Sequence, residues 1–427
     1  MRRICGFSLL LFLATPTWAQ LTAEQKQLNI DSFEKVWTTI RDKHWEKKPG
    51  GLDWQAIHEE FRPKIEKAET TDAARQVMQA MLGRLKETHF AIIPATVYDE
   101  ADSGGDSHLM GDGSPGVDLR VIDGHAVVTR VDPGSPAEKA GVKTGWIVAS
   151  VEGKDLDAAV QKLKADPDIH ELVLVRAVLS RLTGPVGGKL HVVFRDGSNQ
   201  DRALDLELAS PRGEISKFGN LPAQHVWVET KKVGGAGYVA FNMFLDLGRV
   251  MSRFGDEVSS CMKCDGLIID LRGNPGGIGG MAMGMAGWLI DKQGLSLGNM
   301  YTRDSTIHFA VNPQVNVFHG PVAVIVDGMS ASTSEIFADG LKDLGRAKVF
   351  GERTAAAALP SLIEKLPNGD GFQYAVANYI SEGGKPLEGI GVTPDSPVQV
   401  TRQALLAGHD PALDAALEWI EKQKGKP

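Results

Sequence analysis

The chain has 427 residues, 42% hydrophobic and 23% charged, with 46 Lys+Arg against 54 Asp+Glu for a formal net charge of −8. That balance excludes a disordered chain and a collagen, and the lack of a basic excess argues against a nucleic-acid partner. Three cysteines are too few for a disulfide scaffold, and at roughly 100–200 residues per domain the length predicts two to four domains.

Arg2 and Arg3 precede an apolar run over residues 4–14, followed by Thr15-Pro16-Thr17-Trp18-Ala19. This predicts an export signal over residues 1–19, cleaved after Ala19. The run is too short for a bilayer, which needs about 20 apolar residues. Cleavage removes Cys5 and two positive charges, moving the net charge from −8 to −10. Cys261 and Cys264 remain. Their C-x-x-C spacing permits a disulfide in an oxidising compartment, or leaves two thiols near a helix end. A zinc site needs two more ligands, and no second cysteine pair exists.

Residues 20–100 read as a helical domain. Phe33, Val36, Trp37 and Ile40 fall at i, i+3, i+4, i+7 on one helix face, with Asp31 and Ser32 as expected caps. A second helix is expected from residues 52–54. A third follows Thr70-Thr71-Asp72 and carries Val77, Met78, Met81, Leu82 and Leu85. His58-Glu59-Glu60-Phe61-Arg62 is not the H-E-x-x-H of zinc proteases. Residues 101–115 are rich in Gly, Ser and Asp and read as a linker.

Past residue 116 the pattern changes to short strands at 117–121, 126–131 and 147–151, and a hairpin of 190–194 with 202–208. Pro133-Gly134-Ser135-Pro136-Ala137 leads into a helix closed by Gly141. The stretch PGSPAEKAGVKTGWIVASVEGK resembles the PDZ domains of exported proteases, which assigns 101–208 to a β-rich PDZ-like domain. The resemblance implies a peptide bound as an added strand, with its terminal carboxylate near Ser114-Pro115-Gly116-Val117. Gly116 and Val117 are therefore the peptide-binding candidates. Trp146 replaces a common Asp and is expected to be exposed or to face a partner.

Residues 209–427 alternate strands (237–244, 266–271, 322–326, 348–350) with helices (247–261, 278–290, 334–344, 410–421), an α/β or α+β core. Two constellations there carry chemistry. In Asp270-Leu271-Arg272-Gly273-Asn274-Pro275-Gly276-Gly277, glycines at a strand-to-helix turn let backbone amides approach a bound anion, and the following helix adds its dipole. Residues 277–282 also fit the dinucleotide pattern G-x-G-x-x-A. Five residues separate that pattern from the strand, however, and the nearest acid, Asp291, comes too early. In Val326-Asp327-Gly328-Met329-Ser330-Ala331-Ser332-Thr333-Ser334-Glu335 a strand enters a tight small-residue turn and then a helix, which points a serine outward. Ser334 is expected to cap that helix.

DLRGNPGG, DGMSASTSEIFADGLKD, VFGERT and GIGVTPD together resemble the tail-specific (C-terminal processing) and tricorn core serine proteases. The resemblance covers nearly the whole mature chain and implies a crotonase/ClpP-like core. It places the nucleophile at Ser332. It builds the oxyanion hole from the amides of Thr333 and of Gly276 or Gly277. The lysine base of the tail-specific branch would fall at Ala357, which takes no proton; Lys342, Lys348 and Lys365 are off the motif. The tricorn-like branch uses a histidine after a hydroxyl residue and a distant glutamate. Thr88-His89 and Glu388 in Leu387-Glu388-Gly389-Ile390-Gly391-Val392 match it. An imidazole with an ordinary pKa of about 6.5 would fail as a base below that pH. The expectation is an exported serine endopeptidase of the bacterial periplasm or cell envelope, acting on proteins or peptides without metal or cofactor. Homo-oligomer formation is left open. The alternatives are an inactive peptide-binding relative, to which the alanines at 355–358 lend weight, and a small-ligand-binding protein on the same core.

Overall fold

A computed structural model describes residues 21–98, 113–165 and 171–424. The expected export signal lies outside the described residues, as does the linker apart from residues 113–115. Among the described residues, no helix is long and apolar enough to cross a membrane.

The helix Ala23–Lys43 buries Phe33, Val36 and Ile40 completely. It starts earlier than expected. Thr22 is the N-cap, in a capping box with Gln25, whereas Asp31 and Ser32 lie inside the helix. Ser32 donates its hydroxyl to Leu28 O, one turn back. The first turns are polar, so apolar periodicity misses them and only the capping box marks the start. Helices Trp54–Glu66 and Thr71–Leu82 begin where Asp53 and Thr70 accept from amides three residues on. The three helices share one apolar core with Leu359, Leu366, Phe372 and Tyr374. The short strand Ala91–Ile93 pairs with Gly371–Ala375. The helical segment is thus packed onto the C-terminal half of the chain.

In the β-rich region, strands Val117–Ile122, His125–Val131, Ile147–Val151, Lys189–Arg195 and Asp201–Glu207 lie antiparallel in that order. Helices Leu156–Lys164 and Glu171–Leu179 cover them and were not expected. Val173, Val175 and Val178 give the second a strand-like composition. Burial of Leu174, Val175 and Val178 in the common core settles it as a helix. Trp146 packs half-buried on that same core, 6.2 Å from the Phe194 ring, which corrects the expectation of an exposed aromatic.

The C-terminal sheet has six strands. Val228–Val233 runs antiparallel to Ala236–Phe241. Leu267–Asp270, Val322–Val326, Lys348–Gly351 and Ser396–Pro397 follow, all parallel. Every residue of Val322–Val326 is buried, as a parallel strand covered on both faces requires. Helices Leu247–Ser260, Gly279–Ala286 and Thr333–Asp343 cover one face, and Pro411–Gln423 the other. Cys261 and Cys264 are disulfide-bonded at the end of the first of these. Because Leu267–Asp270, Val322–Val326 and Lys348–Gly351 are parallel neighbours, their three exit loops emerge together at one end of the sheet, where open α/β folds bind ligands.

Candidate active site

The first exit loop, 271–278, is locked by its own side chains. Arg272 pairs with Asp270 at 2.6 Å and Asp410 at 2.7 Å, tying the loop to the start of the helix Pro411–Gln423. Asn274 donates to Phe241 O and accepts from the Gly276 amide at 2.9 Å. The Gly276 amide is therefore occupied. The Gly277 amide donates to no protein acceptor among the described residues, since the local bridge uses Phe244, Gly276 O and Ile278 N. Of the two glycines expected to serve an oxyanion, Gly277 is the one with a free amide. Gly276 has φ +96°, and a Cβ there would lie 2.8 Å from both Ser332 Cβ and Thr333 N. A side chain would fill the space over the Ser332 turn.

The second loop separates the three serines by what their hydroxyls do. Ser330 donates to Leu271 O and Ser334 to Asn274 O, so both fasten this loop to the first. Ser334 is consequently not the helix cap, which is Ser332. Among the described residues, Ser332 alone of the three donates its hydroxyl to no carbonyl. It sits at φ +55°, ψ −118°, a conformation strained for any residue but glycine. Among the described residues the amide of Thr333, the first helical residue, has no acceptor.

The third loop, 352–360, lies against Ser332. The Ser332 amide donates to Ala357 O at 2.8 Å. Glu335, one helical turn on, accepts from the amides of Ser332, Ala356 and Ala357 and from the Thr354 hydroxyl. Burial pushes its carboxyl up to about 7 against these four donors. Sequence reading had quoted Glu335 within a motif and given it no role.

The Ala358 amide continues the path, donating to Glu388 Oε2 at 2.9 Å. The same oxygen accepts from the Thr88 hydroxyl at 3.0 Å, and Glu388 Oε1 accepts from the Thr88 amide. Thr88 Oγ1 lies 2.7 Å from His89 Nδ1. A hydroxyl has one proton. Given to Glu388, it leaves Thr88 Oγ1 as acceptor, so Nδ1 carries the ring proton and Nε2 keeps its lone pair. Burial drives the His89 imidazole down to about 4, and the Arg176 guanidinium adds to this. Burial pushes the Glu388 carboxyl up, opposed by its three donors. His89, Thr88 and Glu388 therefore form one relay, which reaches Ser332 through Ala357 and Ala358. No direct bond joins Ser332 Oγ to His89 among the described residues, and apo sites commonly hold such contacts loose. Lys342 donates to Thr393 O, while Lys348 and Lys365 lie over aromatic rings. No group of three or more metal-ligating side chains occurs among the described residues.

Asp327 is a second residue that sequence reading missed. Its Oδ1 accepts from the amides of Gly273 and Met329, joining the first two loops. Its Oδ2 accepts from Arg120 of the β-rich region at 2.7 and 2.8 Å, in a buried pair. No local signal in the sequence links residues 120 and 327.

At the expected peptide site, the Gly116 amide donates to Ser114 Oγ and its carbonyl accepts from Asp132 N. That bond makes Val117 and Val131 a non-hydrogen-bonded pair, so the Val117 amide points to the outer edge of the sheet. Among the described residues Val117 retains a free donor there, and Gly116 does not.

Residues 235–398 match the model of peptidase family S41, and residues 31–83 match the tricorn protease C1 domain. The chain is 27% identical to carboxyl-terminal-processing peptidase 3, chloroplastic, of Arabidopsis thaliana, over 84% of this chain and 67% of that protein. The solved photosystem II D1 C-terminal processing protease superposes with a TM-score of 0.59 at 22% identity, over 93% of this chain and 97% of that one. The solved tricorn protease gives a TM-score of 0.52 at 19% identity, over 94% of this chain and 37% of that one. Both superpositions establish the shared mixed α/β fold.

Proposed function

We propose that this chain, whose residues 235–398 match the model of peptidase family S41, is an exported serine-type endopeptidase using Ser332 as nucleophile and His89 as base. The observation that carries this reading is the relay from Glu388 through Thr88 to His89, which leaves Nε2 free to take a proton. Ser332 Oγ attacks the scissile carbonyl as His89 Nε2 takes its proton. The free amides of Gly277 and Thr333 receive the developing oxyanion, the interaction with the largest effect on such barriers. His89 then passes the proton to the leaving amine, and a water repeats the cycle on the acyl-enzyme. The Thr88 hydroxyl and Glu388 stabilise the transient imidazolium. Having lost the motif lysine at Ala357, the site depends on this imidazole, which its low pKa keeps neutral at ordinary pH.

The β-rich region acts as a PDZ-like module that adds a substrate tail to the open edge of Val117–Ile122, beside the helix Glu171–Leu179. Its Arg120 touches the nucleophile loop through Asp327, so tail capture and catalysis share a rigid contact. Export is supported by Arg2, Arg3 and the short apolar run, and suits the Cys261–Cys264 disulfide.

The test is cleavage of an unfolded protein such as casein by wild type, Ser332→Ala and His89→Ala. Loss of activity in both variants is expected. Full activity in either removes that residue from the mechanism.

A further inference from the structure

His89 is held in an unfavourable backbone conformation. Lys86 and His89 have φ +55° and +62°, two left-handed non-glycine positions in four residues. Each is disfavoured relative to the right-handed form, because Cβ crowds the following carbonyl oxygen. Something must over-determine the turn. Glu388 does so from one side by binding both Thr88 donors. A second attachment comes from the helical segment and plays no part in the proton path.

His44 is the C-cap of the helix Ala23–Lys43 and is wholly buried. Its Nδ1 accepts from the Glu46 amide at 3.0 Å. Nε2 must then carry the proton, and it donates to Glu87 Oε2 at 3.1 Å. The ring stacks on Trp45 at 3.9 Å and faces Phe90, the residue after His89, at 6.0 Å. Gln79 secures the far end by donating to Phe90 O and accepting from Ile92 N. The turn that bears His89 is therefore clamped at Glu87 by His44, at Thr88 by Glu388 and at Phe90 by Gln79. Glu87 also raises the Glu388 carboxyl through its charge.

We propose that His44 and Glu87 are positioning residues for the reaction, forming a part-buried hydrogen bond that holds the His89 turn in its left-handed shape. This rests on the reading of His89 as base. It assigns a catalytic consequence to the N-terminal helices. A 1 Å misplacement of a catalytic group can cost roughly 100-fold in rate, so loosening the clamp should lower kcat rather than weaken substrate binding.

Because His44 has no solvent exposure and its removal could unfold the segment, the test uses the half-buried Glu87. kcat and KM for casein are measured for wild type, Glu87→Ala, Glu87→Gln and His89→Ala, with melting temperatures in parallel. Glu87→Ala should lose roughly 10- to 100-fold in kcat at unchanged KM. Glu87→Gln keeps an acceptor for His44 Nε2–H and should recover to within about threefold, with Ala and Gln variants melting alike. An unchanged kcat in Glu87→Ala beside a dead His89→Ala overturns the clamp and leaves the base assignment standing. Equal losses in the Ala and Gln variants, or a loss carried by KM, also overturn it. An active His89→Ala overturns the base assignment itself.

Discussion

Ser332 and His89, the proposed nucleophile and base, are held in contrasting ways. Ser332 stands on a loop leaving a fully buried parallel strand, and its fastenings come from the two neighbouring strands' loops: Ser330 to Leu271 O, Ser334 to Asn274 O, Ser332 N to Ala357 O. Most are bonds to backbone in a close-packed core, so the nucleophile turn is fixed by the sheet itself. His89 stands on a turn outside that sheet, held by side chains from distant segments. Thr88 and Glu388 are 300 residues apart, and Glu87 and His44 are 43 apart. The Ser332 turn is a property of one fold unit. The His89 turn is a property of how two units meet.

Substitutions on the two sides should behave accordingly. Ser332→Ala should abolish turnover, a loss of roughly 10⁶-fold, while the melting temperature stays near wild type. His89→Ala should cost roughly 10²- to 10⁴-fold and leave the oxyanion amides in place, so an aldehyde inhibitor's carbonyl should still bind. If His89→Ala also lost that binding, the two sides would not be separable. Thr88→Val keeps the shape and removes the hydroxyl between ring and carboxylate. It should lower kcat by roughly 10- to 100-fold, because Nδ1–H loses its acceptor and the tautomer is no longer imposed. Wild-type kcat in this variant would show that the relay does not set the tautomer. Arg120→Ala should affect turnover least and stability most. It leaves Asp327 buried without its cation, at a cost of about 3–5 kcal/mol, to be read from chemical unfolding. A stable Arg120→Ala would mean that the β-rich region does not brace the nucleophile loop.

The same contrast governs what was legible in the sequence. The nucleophile side is written in contiguous runs, because a strand, a glycine turn and a helix start are local events. DLRGNPGG and SASTSE could be placed on their strand ends, and the parallel neighbours Leu267–Asp270 and Val322–Val326 bring them together. Resolution within the runs failed, since amide and hydroxyl partners are tertiary. Nothing in the sequence shows that Asn274 takes the Gly276 amide, or that Ser334 fastens one loop to another instead of capping a helix. On the base side, Thr88, His89 and Glu388 were found through family resemblance, and the structure joins them. Burial drives the His89 imidazole down to about 4, below the ordinary 6.5 of the residue type, and burial is a property of packing that a residue type does not carry. Arg120 with Asp327, and His44 with Glu87, had no sequence signal because each joins side chains from separate elements.

The central claim is that a neutral His89, with its pKa depressed, activates Ser332. The most direct measurement is the rate at which a fluorophosphonate labels Ser332, followed from pH 8 to pH 3.5 in wild type and His89→Ala, with intrinsic fluorescence monitoring the fold. A folded-state pKa below the ordinary value means the base stays free on acidification until the lower value is reached. The wild-type rate should therefore hold level through pH 6 and fall through about 4, and His89→Ala should label slowly at every pH without that fall. Labelling of His89→Ala at the wild-type rate, or a wild-type fall above pH 7 that persists in the variant, would contradict the claim.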